Sequence, residues 1–285
     1  MSPRRLTPRT SLVATLVALL AAGALALPLV AVAAGPDPLP RPAPAAKVRA
    51  EDRLFKVGTL NILGSNHTRG GDKKRTFRTA RLIRKQKLKV LAMQEVQDDQ
   101  LRWLRKKLPR YRIWPGKRYG GQGLRLQIAW RKARFDLVDH GSIETTFSGF
   151  ERPVPWVRLK EERTGRRFFV IDVHNSPRDQ EADRDSATRK QLRLYNRLRE
   201  RGGPVMILGD ANERREWFCK VTRRTDARAA NGGRTTDKRC TPPRPTYIDW
   251  IMGGGRLGWR DYDARRVEVS DHPLHTAVAR LRKRR

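Results

Sequence analysis

The chain has 285 residues, 38% of them hydrophobic and 32% charged, enough for one large domain or two small ones and for a sizeable core. Lys and Arg number 63 against 29 Asp and Glu, a net charge of +34, so the surface repels itself and attracts polyanions: nucleic acid, anionic lipid headgroups or acidic cell-wall polymers. That charge names a class of partner and no single one, and the two cysteines, with no CxxC nearby, argue against a thiolate metal centre.

Read from the N-terminus, Arg4, Arg5 and Arg9 precede residues 11–34, which carry no charge and are dominated by Ala, Leu and Val. Ala31-Val32-Ala33 supplies small residues where a signal peptidase needs them, so residues 1–34 are expected to be a signal peptide and the protein to be secreted. The competing reading is an uncleaved membrane anchor, because the run is long enough to span a bilayer. Pro28 and the small residues near its end favour cleavage. Residues 35–52 place proline at positions 36, 38, 40, 42 and 44, which removes backbone donors and favours extended conformations, so they read as a linker.

The folded domain is expected over residues 53–285, ending in a basic tail, Arg282-Lys283-Arg284-Arg285. Residues 54–62 read as a strand, 76–86 as a helix with Phe77, Ala80 and Ile83 at helical spacing, and 89–96 as a buried strand. Residues 98–108 place Leu101, Leu104 and Leu108 on one helical face. Residues 124–130 and 135–143 are expected to pair around a charged turn, and 154–160 with 168–174 around Thr164-Gly165. Residues 180–200 make the clearest helix, stopped by Gly202-Gly203. Residues 205–208 are a short buried strand, and 247–252, 267–269 and 276–281 are further strand candidates. Between them, residues 213–246 read as a basic loop holding both cysteines. In an oxidising compartment a Cys219–Cys240 disulfide would close a short ring and contribute roughly 3 kcal/mol on a loop-entropy argument. The whole indicates a mixed α/β domain with two sheets or one large one.

Polar residues recur where the apolar strands end, the places at which a rigid element meets solvent. Asn61 follows Val57-Gly58-Thr59-Leu60, Gln94-Glu95 follows the run from Val90 to Met93, and His174 follows Phe169 to Val173. Ile207-Leu208-Gly209-Asp210-Ala211-Asn212, Tyr247-Ile248-Asp249 and Ser270-Asp271-His272-Pro273 complete the set. Each alone is ordinary, since a carboxylate at a strand end is more often a cap or turn residue. The ordered set is not. Hard oxygen ligands suit Mg²⁺, which takes few protein carboxylates and keeps waters and substrate oxygens. Histidine titrates near neutral pH, and a carboxylate beside it orients the ring and stabilises its protonated form. That inventory suits attack of water on phosphorus.

Asn61, Gln94-Glu95, His174, Gly209-Asp210-Ala211-Asn212, Asp249 and Ser270-Asp271-His272 occur in the order and approximate spacing of the endonuclease/exonuclease/phosphatase (DNase I-like) superfamily, which the chain resembles over roughly residues 54–281. Phe150-Glu151-Arg152-Pro153 also looks like that superfamily's arginine-bearing strand. The resemblance implies an α/β four-layer sandwich, two packed mixed β-sheets flanked by helices, with the site at one edge of the sheets. It implies Glu95 as the principal Mg²⁺ ligand (Mn²⁺ or Ca²⁺ as alternatives), helped by Asn61 and Asp271. His272 paired with Asp249 would be the general base, with Asp210 and Asn212 positioning water and stabilising phosphoryl charge. His174 would contact phosphate or help protonate the leaving group, and Arg152 would neutralise a phosphate oxygen. Apurinic endonucleases of the superfamily carry a carboxylate two residues after the first asparagine; here that position is Leu63, which argues against that subfamily. His174 in place of a tyrosine points towards the DNase I or sphingomyelinase side.

For the substrate, the charge and the basic segment 213–246 favour a nuclease for DNA or RNA, with Trp217 and Phe218 able to stack on bases. A phospholipid phosphodiesterase or a sugar or inositol phosphatase is the alternative, because one scaffold hosts many functions. A lipid enzyme should show an exposed apolar hairpin, for which only Trp114 and Tyr119-Gly120-Gly121 offer material, leaving a membrane surface as a secondary partner. A non-catalytic polyanion binder is the third reading. No protein partner is implied, and a monomer is expected.

Overall fold

The computed structural model describes residues 54–68 and 72–282; the expected signal peptide, the linker and the end of the basic tail lie outside them. In chain order the elements are β1 (Leu54–Asn61), α1 (Lys73–Lys85), β2 (Val90–Gln94), α2 (Asp98–Lys107), β3 (Tyr111–Trp114), α3 (Gly120–Leu124) and β4 (Gln127–Arg131). There follow β5 (Phe135–Phe147), β6 (Phe150–Glu161), β7 (Arg167–His174), α4 (Glu181–Glu200), β8 (Val205–Asp210) and α5 (Arg215–Arg224). Three two-residue strands, β9 (Arg228–Ala229), β10 (Arg234–Thr235) and β11 (Cys240–Thr241), precede β12 (Asp249–Gly254), β13 (Leu257–Arg265) and β14 (Leu274–Leu281).

Two six-stranded mixed sheets result, ordered β13-β14-β1-β2-β4-β3 and β5-β6-β7-β8-β12-β9. Side-chain alternation along each strand builds the layers. On β7, Phe168 and Val170 enter a core shared with Val57, Val90, Ala92 and Ile128 of the first sheet. Phe169, Ile171 and Val173 point the other way, onto Leu192, Tyr195 and Leu198 of α4. The outer face of the first sheet does the same, with Leu91 and Met93 packing on Ile83 of α1 and Leu101 and Leu104 of α2. The expected four layers, two sheets face to face between helices, are present. Among the described residues no helix is long and apolar enough to cross a membrane.

A polar chain crosses the interface between the sheets. Asp172, fully buried on β7, accepts from Gln94 Nε2 of β2 at 2.7 Å, and Gln94 shares a second hydrogen bond with Thr59 of β1. Burial pushes the Asp172 carboxyl well above the usual range.

Three expectations are corrected. Residues 124–130 and 135–143 do not pair: β4 lies between β2 and β3, while β5 pairs with β6 in the other sheet. The charged turn between them is a crossover, and its Arg134 is held by buried Glu161 at 2.8 Å. Residues 267–269 are not a strand. Val269 is buried there in a turn, and β14 pairs with β1 on one side and on the other with β13, a strand whose charged, half-exposed residues and bulge mask its period. Finally, residues 213–246 are not a plain basic loop. Trp217, Phe218 and Val221 form the buried face of α5 against Trp250, which leaves neither aromatic free to stack on a base. Cys219 on α5 and Cys240 on β11 are joined as a disulfide.

Candidate active site

Three neighbouring strands deliver three polar residues in one row. His174 ends β7 opposite Asp210, and Asp210 ends β8 opposite Asp249, the first residue of β12. In the facing sheet Asn61 and Gln94 end β1 and β2 side by side. Gly209 makes the approach possible. Its φ is +139°, and a Cβ there would lie 2.0 Å from the Val173 carbonyl oxygen, so only glycine fits before Asp210. Glu95 has φ +61°, a left-handed conformation that a residue with a side chain adopts at a cost of order 1–3 kcal/mol. The loop of Ser270, Asp271 and His272 is pinned by one hydroxyl: Ser270 Oγ donates to Asn61 O at 2.6 Å and accepts from His272 N at 3.1 Å. Arg75, missed in the sequence, ties the same loops together by donating to the carbonyls of Ile62, Leu63 and Val269.

Asp210 is the hub. Its Oδ1 accepts from the Asn212 backbone at 2.9 Å, and its Oδ2 lies 3.3 Å from Asn61 Nδ2, 3.6 Å from His174 Nε2 and 3.8 Å from His272 Nε2. Burial first, then the charge of Asp249, pushes the Asp210 carboxyl above the usual range. His272 Nδ1 meets Asp249 Oδ2 at 2.9 Å. Burial pulls His272 down, but the Asp249 hydrogen bond and the charges of Asp249, Asp210 and Asp271 outweigh it and push the ring up to about 9. His174 behaves oppositely, held well below its ordinary value by burial and by the charges of Arg152 and His272. Arg152 Nη1 is 3.4 Å from His174 Nδ1, and a guanidinium only donates, so Nδ1 accepts and the proton of the neutral ring sits on Nε2.

Glu95 faces this cluster from the other sheet. Its Oε1 accepts from Asn61 Nδ2 at 2.8 Å and its Oε2 from Gly64 N at 3.1 Å, with His67 Nε2 at 3.5 Å. Asn61 therefore links the Glu95 carboxylate to that of Asp210, and its own Oδ1 accepts from Leu63 N. The carboxylates of Glu95, Asp210 and Asp249 supply hard oxygen donors, and Asp249 Oδ1 is buried with no hydrogen-bond partner. Asp210, Asp249 and His272 also bring ligand atoms within 4.8 Å of one another. These residues fit a hard divalent cation. Asp271, by contrast, is exposed, and its carboxylate accepts from Ser270 Oγ.

Between the two sides lies a cleft of about 360 Å³ lined by Glu95, Arg125, Arg152, His174, Asp210, Asn212 and His272, among others. Burial and Arg125 push Arg152 down to about 9, which still leaves it charged at neutral pH. Its fork is fixed by Gln122 Oε1 and its face stacks on Phe147. Gln122, Phe147, Arg125, Asn66 and His67 escape sequence reading, because they sit in short helical turns, at a turn or at a strand end with no periodic or motif signal. Trp114 is half-buried against His140, with ring centroids 3.9 Å apart, and Tyr119 packs edge-on against it at 6.2 Å, so that turn is no apolar membrane finger.

The model of the endonuclease/exonuclease/phosphatase family matches residues 58–272, well over half of the chain. A search of curated proteins finds no match. Among solved structures, an endonuclease/exonuclease/phosphatase from Bacteroides vulgatus is similar with a TM-score of 0.64 and 20% identity, covering 80% of this chain and 99% of that one. A mannosyl-6-phosphatase from Bacteroides thetaiotaomicron gives 0.64 and 19%, covering 79% and 99%. D. rerio TDP2, complexed with a single-strand DNA product, gives 0.59 and 15%, covering 79% and 98%. At these identities the likeness establishes the fold.

Proposed function

Because this chain belongs to the endonuclease/exonuclease/phosphatase family and is a phosphoesterase, we propose that the bond it hydrolyses is the phosphodiester of DNA or RNA, with Mg²⁺ as its cation. The observation that carries the hydrolytic reading is the His272–Asp249 pair, hydrogen-bonded at 2.9 Å, set beside Asp210 and facing Glu95 across a cleft with a buried, stacked arginine. Asp249 holds the Nδ1 proton, leaving His272 Nε2 to take a proton from the attacking water. Asp210 orients that water. His174, with its proton on Nε2, donates a hydrogen bond to a phosphoryl oxygen while the P–O bond to the leaving group breaks and the leaving oxygen takes its proton from His174 or from bulk water. Arg152 and Arg125 oppose the charge that builds on phosphorus oxygens. Glu95, with Asn61, would hold the divalent cation, which supplies Lewis-acid stabilisation of the same oxygens when bound.

Nucleic acid is favoured over lipid or sugar phosphate by two features. The net charge of +34 suits a polyanion. Phe150, 63% exposed, stands at the tip of the β5–β6 hairpin opposite Phe147 of the cleft wall, where a base would stack on it. A lone exposed ring is a stacking platform, whereas an interfacial lipid enzyme needs a contiguous apolar finger. The disulfide fits export to an oxidising compartment.

The test is cleavage of plasmid DNA, RNA, sphingomyelin vesicles and a small phosphodiester, with Mg²⁺ and with EDTA, at low and moderate salt. EDTA-sensitive cleavage of nucleic acid that weakens with salt is the expected result. Hydrolysis of lipid or small ester with nucleic acid untouched would overturn the substrate and keep the site.

A further inference from the structure

A cavity of about 690 Å³ lies away from the catalytic cleft. It opens where β7 and β8 begin, at Arg167 and Pro204, whereas the cleft lies where they end, at His174 and Asp210. Seven residue steps along β7, from Arg167 to His174, separate the two, about 23 Å at the usual rise.

Six arginines line it, Arg158, Arg166, Arg167, Arg199, Arg201 and Arg256, and no acidic residue does. Arg199 and Arg201 are held from behind by carboxylates. Arg199 grips Asp226 with Nε and Nη2 at 2.9–3.1 Å, and Arg201 pairs with Asp139. No carboxylate pairs with Arg158 or Arg167 among the described residues. Arg158 Nε is buried without a hydrogen-bond partner. The guanidiniums of Arg158 and Arg201 both lie over the Phe169 ring, at 5.0 and 5.4 Å from its centroid, so two like charges share one platform. Burial, followed by the charges of Arg167 and Arg201, pulls Arg158 down from its ordinary value. Gly165 and Gly202 line the cavity at positive φ, with open space where a side chain would project.

Two guanidiniums with no paired carboxylate, Arg158 and Arg167, beside two held by carboxylates outside the cavity, Arg199 and Arg201, are what a multiply charged oxyanion requires. We propose that this cavity is a second anion site that binds a run of phosphate groups, drawn either from a short polyphosphate or from a nucleic-acid backbone. The site is independent of the bond cut in the cleft. A small ester in the cleft does not reach it, and a long phosphate chain touches both.

The experiment is calorimetric titration of the full chain with tripolyphosphate in EDTA, repeated with a single-stranded 20-mer as competitor. Arg158→Gln/Arg167→Gln is expected to weaken tripolyphosphate binding at least tenfold and to flatten its salt dependence, while hydrolysis of a small phosphodiester stays unchanged. His272→Ala is expected to abolish that hydrolysis and leave tripolyphosphate binding intact. Displacement by the 20-mer assigns the site to a backbone; no displacement assigns it to short polyphosphate. If the double variant is poorly folded, the exposed Arg167→Gln alone should still weaken binding several-fold. Absent binding to the wild type, equal binding to the variants, or loss in His272→Ala instead would each overturn the proposal without touching the catalytic reading.

Discussion

Replacing Asp249 with asparagine removes one charge from the cleft while keeping the side chain's size. The rise of His272 from 6.5 to about 9 corresponds to about 3 kcal/mol in favour of the imidazolium, and the Asp249 hydrogen bond is the largest contribution in that direction. Without it, burial acts on the ring with less opposition, and His272 falls towards or below its ordinary value. Asparagine can also donate to Nδ1, which moves the ring proton to Nε2 and presents a donor where the water needs an acceptor. The expected outcome of Asp249→Asn is a fall of about 10²–10⁴ in kcat/KM, the usual worth of general base catalysis. The assay is kcat/KM on a small phosphodiester from pH 5.5 to 9.5 at fixed free Mg²⁺. Wild type should gain activity up to an alkaline plateau, and the rise of the residual activity should move to lower pH in the variant. Folding carries the same linkage. His272 is raised in the folded state, so its contribution is complete below pH 6.5 and is lost as pH rises through about 9. In chelator, wild-type thermal stability should decline across that window, and Asp249→Asn should remove much of the decline. A variant with wild-type activity, or with an unshifted pH profile, would refute the assignment.

Glu95→Gln should keep the hydrogen bonds from Asn61 and Gly64 but lose the charge. Metal-dependent hydrolysis is expected to drop at least about 100-fold, and the rise in melting temperature on adding MgCl₂ should disappear in a thermal-shift assay. Gly209→Ala forces a Cβ to within 2.0 Å of a backbone carbonyl, so urea unfolding should show a loss of about 3 kcal/mol or more. Phe150→Ala should weaken single-stranded nucleic acid by the worth of one stacked base, about 1–3 kcal/mol, with small-ester hydrolysis and stability unchanged; fluorescence anisotropy in EDTA checks this. Cys219→Ser/Cys240→Ser, opening a ring of sequence separation 21, should cost about 3 kcal/mol of stability with the cleft intact, again read by urea unfolding.

The polar cluster is largely legible in the sequence because its residues end apolar strands. Four to six buried residues followed by Asn61, Glu95, His174 or Asp210 mark a sheet edge, and the two sheets bring those edges together. Which strand pairs with which is harder to read. Residues 124–130 and 135–143 look like a hairpin because both alternate around a short charged turn, and nothing local records that Trp130 and Phe135 enter the shared core from opposite sheets. The half-exposed β13 hides behind its charges, and α5 hides because Trp217 and Phe218, adjacent in a basic stretch, resemble a loop's aromatics until Trp250 covers them. Gln122 holds Arg152, and Phe147 packs on both Arg152 and His174, so their roles exist in three dimensions alone. The arginine cavity at the far pole is likewise invisible in a chain where arginine is everywhere.

The Asp172–Gln94–Thr59 chain has a consequence for how the halves of the site keep alignment. Glu95 and Asn61 belong to one sheet; His174, Asp210 and Asp249 belong to the other, and no strand is common to both. Apolar faces attract without direction, so packing alone tolerates small slides of one sheet across its neighbour. A directional bond one step below the cleft does not. It acts like a dowel between two planks, fixing their offset rather than adding much to the glue, so that the Asn61–Asp210 contact above it, and with it the catalytic spacing, is set in part by a buried carboxyl that never meets the substrate.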